Sequence, residues 1–319
     1  MCSEPKLPLL AVVGCTAGGK SRLAVRLAQE LNGEVVSCDS MQIYRSMDIG
    51  TAKPTPEEME GIPHHLIDFA DPREVFSCAD YVGEAKRVIR DICARGRFPI
   101  LCGGTGLYLD RLLFGGGDAE EAEPDPAIRE KWQAYRDENG NHALHERLRE
   151  VDAESAEAIH ENNVHRVIRA LEIFETTGVA KSLWDKRSRE LGSPYDYTVI
   201  GLRYVDRERL YDRINRRVDL MMEAGLLEET RALLADGIFD RNATAAQAIG
   251  YKELLSHLSG EETLEEAVER LKTATRRYAK RQITWFSAKP YVHWVNADSP
   301  DGMRAEEEIL RDALEAYKK

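Results

Sequence analysis

Five consecutive apolar residues, Leu9-Leu10-Ala11-Val12-Val13, form the first hydrophobic run, and the period of the pattern changes soon after it. A short unbroken run reads as a strand buried on both faces. Further on, Ala24, Leu27, Ala28 and Leu31 recur at helical spacing, and Asn32-Gly33 supplies a C-cap. Glu34–Cys38 is a second short strand, ending at Asp39-Ser40, and His64–Asp68 is a candidate third. Ser77 and Asp80 make a capping box for a helix through Ala94, with Val82, Ala85, Val88, Ile89 and Ile92 on its apolar side. Phe98–Cys102, Tyr197–Leu202 and Tyr291–Val295 complete the set of strands. Arg207–Leu227 reads as one helix ending near Gly225; Leu264–Phe286 reads as another that buries Val268, Leu271, Tyr278 and Trp285. Strand and helix alternate, which predicts an α/β fold with a parallel sheet.

The alternation stops at Gly115-Gly116-Gly117. From Asp118 to about Ser193 the chain is charged, helical and poor in strand formers, so it is read as an inserted all-helical subdomain. The core is then residues 1–117 with 194–319. Within the insertion Arg166 and Arg169 share one helical face, and Ile168 and Leu171 another. On pattern alone those arginines serve glutamate ion pairs and substrate binding equally well.

Chemistry concentrates where strands end. Gly14-Cys15-Thr16-Ala17-Gly18-Gly19-Lys20-Ser21 matches G-x-x-x-x-G-K-[ST] between a strand and a helix, the context that gives that pattern meaning. Glycines let backbone N–H groups wrap an oxyanion, and the helix start aims its dipole at the same point. Lys20 adds a cation, and the Ser21 hydroxyl is placed to ligate Mg2+. The motif therefore binds a phosphorylated group without saying which. Asp39 belongs at the carboxyl end of the next strand, beside that loop. On pattern alone, a carboxylate that merely binds Mg2+ or caps Met41–Tyr44 is as good a reading of it as a catalytic base. Gly103-Gly104-Thr105-Gly106 is a third loop on the same sheet edge. The long loop Arg45–Pro63, with Gly50-Thr51-Ala52-Lys53-Pro54 in it, reads as functional. His64 and His65 lack partners at ligand spacing and read as packing or solvent-exposed groups.

Composition modifies this picture only slightly. The formal net charge of −12 argues against a nucleic-acid partner. Its distribution argues otherwise: acid gathers at Ala119–Glu123 and Glu261–Glu269, whereas Arg270, Lys272, Arg276, Arg277, Lys280 and Arg281 have no acidic residue among them. That stripe is either a solvated face or a seat for a phosphate backbone. All six cysteines lie in the first third without a C-x-x-C pair, so reduced thiols are expected rather than zinc or disulfides. The first apolar run is too short to span a membrane and Met1–Lys6 has no signal-peptide profile, so a cytoplasmic protein with no membrane partner is expected. The pattern alone supports a P-loop phosphotransferase acting on nucleotide-type ligands.

Taken together, six segments resemble the motifs of the tRNA dimethylallyltransferases (tRNA isopentenyltransferases). They are Gly14–Ser21, Asp39–Tyr44, Asp48–Pro54, Gly103–Tyr108, Gln247–Glu253 and Lys280–Phe286, in order from about Leu9 to Val295. The resemblance implies a P-loop NTPase-like core with a parallel sheet and a helical insertion that grips the tRNA anticodon stem-loop. It implies transfer of a dimethylallyl group from dimethylallyl pyrophosphate to the exocyclic N6 amine of the adenosine 3′ of the anticodon, with pyrophosphate leaving with Mg2+. Asp39 would be the base and Thr105 a second catalytic residue. Gly14, Thr16, Ala17, Gly18, Gly19, Lys20, Ser21 and Arg217 would contact the pyrophosphate, with Ser21 on the metal. Asp39, Ser40, Met41, Gln42, Thr105, Arg166, Gln247, Gly250, Tyr251, Lys252, Arg277, Lys280, Arg281, Gln282 and Trp285 match positions that touch RNA. Family habit implies a monomer. Cys15 stands where proline is common, Gly18 where serine is common and Asn163 where aspartate is common. A C-terminal Cys/His zinc finger, found in some eukaryotic relatives, is absent, which favours a bacterial-type enzyme.

Overall fold

A computed structural model describes residues 6–115 and 125–318. Cys2, Gly116-Gly117, the Ala119–Glu123 acidic run and the 117/118 boundary lie outside the described residues. The chain divides into two compact units, Met1–Leu109 with Tyr195–Lys319, and Asp110–Pro194.

In chain order the first unit contains β1 (Leu7–Gly14), α1 (Lys20–Leu31), β2 (Gly33–Cys38), α2 (Pro56–Met59), β3 (His64–His65), α3 (Cys78–Ala94) and β4 (Phe98–Gly103). Helix α4 (Gly106–Phe114) begins in the first unit and ends in the second. The second unit continues with α5 (Pro126–Val151), α6 (Ala153–Ala158), α7 (Val164–Thr177) and α8 (Lys181–Leu191). The chain then returns through β5 (Tyr195–Arg203), α9 (Arg207–Glu223), α10 (Leu226–Ala235), α11 (Ile238–Arg241), α12 (Ala243–Ala246), α13 (Lys252–Leu258) and α14 (Leu264–Ser287). It closes with β6 (Val292–Asn296), β7 (Asp298–Ser299), β8 (Gly302–Met303) and α15 (Glu306–Tyr317).

Strands β1 to β6 form one sheet in the order β3-β2-β4-β1-β5-β6, and every pairing in it is parallel. The expected α/β class with a parallel sheet is therefore what the chain adopts. Leu10, Val12, Val35 and Ile100 from the sheet pack with Ala24, Leu27 and Ala28 of α1 and with Leu310 and Ala313 of α15. A second core is helical: Ile43, Tyr44 and Met47 pack on Val218, Leu226, Leu233, Leu254 and Leu271. The loop after β2 is thus seated on α9, α10, α13 and α14. In the second unit Leu144, Leu148, Val167, Ile168 and Leu171 form the core, and fully buried Glu172 accepts from Arg129 Nε at 2.9 Å and Arg169 at 2.7 Å.

Several expectations change in detail. Leu66 and Asp68 each have φ 57°, so the strand expected over His64–Asp68 stops at His65. His65 pairs with buried Glu34 at 2.7 Å, and His64 Nδ1 meets the Ile62 carbonyl at 2.9 Å. The helix expected from Arg207 to end near Gly225 is α9, which stops at Glu223; Gly225 takes φ 101° and starts α10, so Leu226 and Leu227 belong to the next helix. In α14 the fully enclosed face is Ala267, Leu271, Ala279, Gln282 and Phe286, whereas Val268, Tyr278 and Trp285 are half-buried. Asn32 is the C-cap of α1 in the left-handed region, while Gly33 already belongs to β2. The capping box of Ser77 and Asp80 opens α3 as read. Among the described residues, no helix is long and apolar enough to cross a membrane.

Candidate active site

Parallel register brings three strand ends to one edge. Cys38 of β2 and Val13 of β1 both align with Gly103 of β4, and Gly14 aligns with Leu202 of β5. The loops that follow these strands therefore emerge side by side, at the carboxyl edge where open α/β sheets bind ligands. Gly103 has no alternative there: a Cβ would stand 2.0 Å from the Cys38 carbonyl oxygen.

The first loop curls through Ala17 at φ 57° and Gly19 at φ 92° before α1 begins at Lys20. The Gly18 N–H donates to the Cys15 carbonyl, and Lys20 Nζ donates to the same oxygen at 2.7 Å. Burial pushes the Lys20 pKa down, and the neighbouring Cys15, Cys102 and Asp39 pull it back up. Beneath the loop Cys15 and Ala17 pack on Leu210, Ile214 and Ala279, so cysteine fills an apolar seat. Burial pushes its thiol pKa up, which keeps it a neutral packing group. Arg213 Nε donates to the Ala17 carbonyl at 3.1 Å and holds the curl from outside. Nothing in the pattern of α9 distinguishes Arg213 from its arginine neighbours.

Gln282 locks this loop to the third one. Its Oε1 accepts from Thr16 N–H at 2.8 Å, and its Nε2 donates to the Gly104 carbonyl at 3.0 Å. Thr105 Oγ1 accepts from the Ser40 N–H at 3.1 Å, tying the third loop to the second. Asp39 Oδ1 accepts from Met41 N–H at 2.9 Å and Gln42 N–H at 3.3 Å, which fixes the carboxylate. Its Oδ2 takes no hydrogen bond from the described residues.

The Asp48–Pro54 segment is held by residues that carry no motif. Glu229 of α10 accepts from the N–H groups of Asp48, Ile49 and Gly50 at 2.9–3.1 Å. It also accepts from the Tyr251 hydroxyl at 2.7 Å. Gln42 Nε2 donates to the carbonyls of Thr51 and Ala52. Lys53 Nζ is enclosed by the Tyr44 carbonyl, Asp48 and Asp68. Gly50 lies against the Tyr251 ring so closely that a Cβ would meet it at 2.4 Å. The buried carboxyl of Glu253 accepts from Gly250 N–H at 3.0 Å, and burial pushes its pKa up.

These loops enclose a cavity of about 350 Å³. Of the residues singled out from sequence, Thr16, Lys20, Ser21, Asp39, Ser40, Met41, Gln42, Arg217, Gln247, Gly250, Lys252, Arg281 and Gln282 line it. Gly14, Ala17, Gly18 and Gly19 shape the loop without lining the cavity, and Thr105, Tyr251 and Trp285 act from behind the lining. Trp285 packs its indole edge on Gly106, where a Cβ would stand 2.3 Å from Nε1. Arg217 is half-buried; burial lowers its pKa, and Glu58 and Asp39 oppose that shift. Arg166 is an exposed residue of the second unit. Arg169 has the glutamate partner that the plainer reading of that face gave it.

The basic stripe of α14 is narrower than its sequence. Arg270 pairs with Glu262, Lys272 with Asp219 and Glu269, and Arg276 with Asn215. Arg277, Lys280 and Arg281 are exposed and have no carboxylate partner among the described residues; Arg281 sits over the Tyr278 ring at 5.5 Å. Arg270 also donates to the Glu253 carbonyl of α13, and Lys272 and Arg276 reach Asp219 and Asn215 of α9, whereas Glu262 and Glu269 belong to the acidic run beside them.

The residues present suit a hard divalent cation. Ser21 offers a hydroxyl and Asp39 a carboxylate on the same cavity, although no cluster of three or more His, Cys, Asp or Glu exists among the described residues. That donor set fits an ion such as Mg2+, which is commonly held by few protein groups plus phosphate oxygens and water.

Comparison with known proteins agrees with this geometry. The sequence model of the family described as IPP transferase matches residues 42–289. A protein of Caldanaerobacter subterraneus subsp. tengcongensis named tRNA dimethylallyltransferase is 50% identical over 293 residues, 92% of each chain. One of Bacillus mycoides with the same name is 52% identical over 301 residues, 94% of this chain and 92% of that one. Among solved structures, a tRNA isopentenylpyrophosphate transferase of Bacillus halodurans is similar at TM-score 0.69 and 46% identity, covering 98% of this chain and 99% of that one. A eukaryotic dimethylallyltransferase acting on tRNA is similar at TM-score 0.78 and 31% identity, covering 91% and 73%. A cavity shared by a phosphate loop and a fixed carboxylate, with matches of this extent, shows that the chain belongs to the IPP transferase family.

Proposed function

We propose that this chain is a tRNA prenyltransferase that moves a dimethylallyl group from dimethylallyl pyrophosphate to N6 of the adenosine 3′ of the anticodon. The observation that carries this reading is the shared cavity: Lys20, Ser21 and Arg217 stand on the same space as Asp39. An allylic diphosphate ionises once charge on its leaving group is stabilised, and the loop N–H groups with Lys20 and Arg217 supply that stabilisation. The allylic C–O bond breaks, the adenine amine forms the new C–N bond, and Asp39 takes the amine proton as bonding develops. Pyrophosphate carries away the electron pair of the broken bond. Ser21 would hold a divalent cation such as Mg2+, which would supply further neutralisation of the leaving group.

The acceptor base must leave its stack to enter such a cavity. Ser40, Met41, Gln42, Gln247, Gly250, Lys252 and Arg281 line the space it would enter. Thr105 acts through Ser40, Gln282 through both glycine loops, Tyr251 through Gly50 and Trp285 through Gly106. In this reading Arg277 and Lys280 meet RNA phosphates, and the helical insertion, with Arg166 exposed on it, grips the anticodon stem-loop. One chain supplies every assigned residue, so a monomer is sufficient.

The test is incubation with labelled dimethylallyl pyrophosphate, Mg2+ and unmodified tRNA, followed by nuclease mapping of the label. Label on the adenosine 3′ of the anticodon is expected. Unlabelled RNA together with ATP-dependent phosphorylation of a nucleoside would overturn the reading in favour of a small-molecule kinase.

A further inference from the structure

We infer that Glu229 is a positioning residue for this reaction, its carboxylate filling a second backbone nest that sets the acceptor side of the cavity. The inference rests on the proposed prenyl transfer. Three successive N–H groups, Asp48 to Gly50, converge on the Glu229 carboxylate at 2.9–3.1 Å, an arrangement that backbone adopts around an anion. Without that anion the three donors face one another in a half-buried site, with their hydrogen bonds unmade. The Tyr251 hydroxyl adds a fourth donor at 2.7 Å, while its ring bears on Gly50. Burial and the adjacent Glu229 push the Tyr251 pKa up, so the hydroxyl stays a donor.

The held turn leads directly into the cavity wall. Gly50, Thr51 and Ala52 line the cavity, whereas Glu229 and Tyr251 do not. Gln42 binds the Thr51 and Ala52 carbonyls through Nε2, and its own N–H is a donor to Asp39. Glu229 thus reaches Asp39 through the main chain of one turn and the hydrogen bonds of Gln42. The phosphate loop is held separately, by Gln282 and Arg213, and shares none of these contacts. A role confined to the acceptor side is the consequence.

The full chain carrying Glu229→Gln, Glu229→Asp or Tyr251→Phe would be compared with the unaltered protein. Two quantities are measured: kcat/KM for unmodified tRNA at saturating donor, and the Kd of dimethylallyl pyrophosphate by calorimetry. For Glu229→Gln, kcat/KM for tRNA is expected to fall about 10–100-fold, as for loss of charge-assisted hydrogen bonds, with the donor Kd unchanged within about twofold. Glu229→Asp should recover part of the loss, and Tyr251→Phe should lose less than Glu229→Gln. A donor Kd that weakens by the same factor as kcat/KM would mean general loosening and would overturn the inference, as would an unchanged kcat/KM. If Glu229→Gln does not fold, Tyr251→Phe carries the same comparison. An unaltered protein that binds no diphosphate and labels no tRNA would remove the proposed function itself, an outcome distinct from the other two.

Discussion

The turn at Gly14–Ser21 and the turn at Asp48–Lys53 both curl backbone donors around a point where negative charge belongs, and both border one cavity. At the second turn the protein supplies the anion, Glu229, and buries a counter-cation, Lys53, among three oxygen partners. At the first turn the cation, Lys20, rests on a main-chain carbonyl, and no carboxylate occupies the curl among the described residues. One nest is complete within the fold. The other is completed, on the proposed reading, by the diphosphate of the substrate. The difference separates a wall from a binding site more sharply than glycine content does.

Four experiments bear on this contrast. The largest effect belongs to Asp39, the proposed base: Asp39→Ala should lower turnover on tRNA by ~10²–10⁴-fold with an unaltered circular dichroism spectrum. Near-normal turnover would show that another group takes the proton and would detach the second turn from the chemistry.

Next come the glycines, which the two turns use for different reasons. Gly50→Ala puts a Cβ into the Tyr251 ring and should cost about 1–3 kcal/mol in denaturant unfolding, with most of the loss relieved by Tyr251→Ala. Gly19 has open space around its Cβ position but φ 92°, so Gly19→Ala should cost about 1–2 kcal/mol. No neighbouring substitution should relieve that cost. Equal relief of both variants by Tyr251→Ala would erase the distinction.

A third experiment titrates the open nest. On the proposed reading Lys20 attracts the donor only while protonated, and burial lowers its pKa. Donor affinity should therefore decline with rising pH, starting below the range of an ordinary lysine (~10.4). Lys20→Arg should move that decline upward, and calorimetry across the alkaline range reads both. A pH-independent affinity in the unaltered protein would mean that Lys20 is not the cation the donor meets. The smallest effect lies outside both turns. Arg277→Glu should weaken tRNA binding and reduce the salt slope by roughly one to two phosphate contacts; an unchanged slope would return that face to plain solvation.

The same contrast explains what could be read from sequence. The glycines, Lys20 and Ser21 of the first turn lie within eight consecutive residues between a strand and a helix, so a pattern captures them, whereas its braces Arg213 and Gln282 lie far along the chain. Glycines at strand ends were legible for the same reason, and so was Asp39, because strand polarity places it. Glu229 meets Gly50 across 179 positions, and no local feature of α10 marks it. Gln282 is absent from the apolar side read for α14, since an amide enclosed for the sake of two loop backbones looks polar in any periodicity. The basic stripe is narrower than its letters because Lys272 and Arg276 reach Asp219 and Asn215 of α9, while Arg270 turns back to Glu262 of the adjoining acidic run. The early end of β3 turns on a single residue with positive φ, Leu66. Hydrophobic period does not register such a residue.

The amide of Gln282 also has a consequence for synthesis. Its partner Thr16 precedes it by 266 residues, so the phosphate loop is made first and braced almost last. While the chain emerges from a ribosome, the strand, turn and first helix exist long before the helix that clamps them has been translated. Diphosphate affinity should therefore appear late and abruptly along a series of stalled nascent chains, once α14 has cleared the exit tunnel, rather than growing as each strand joins the sheet.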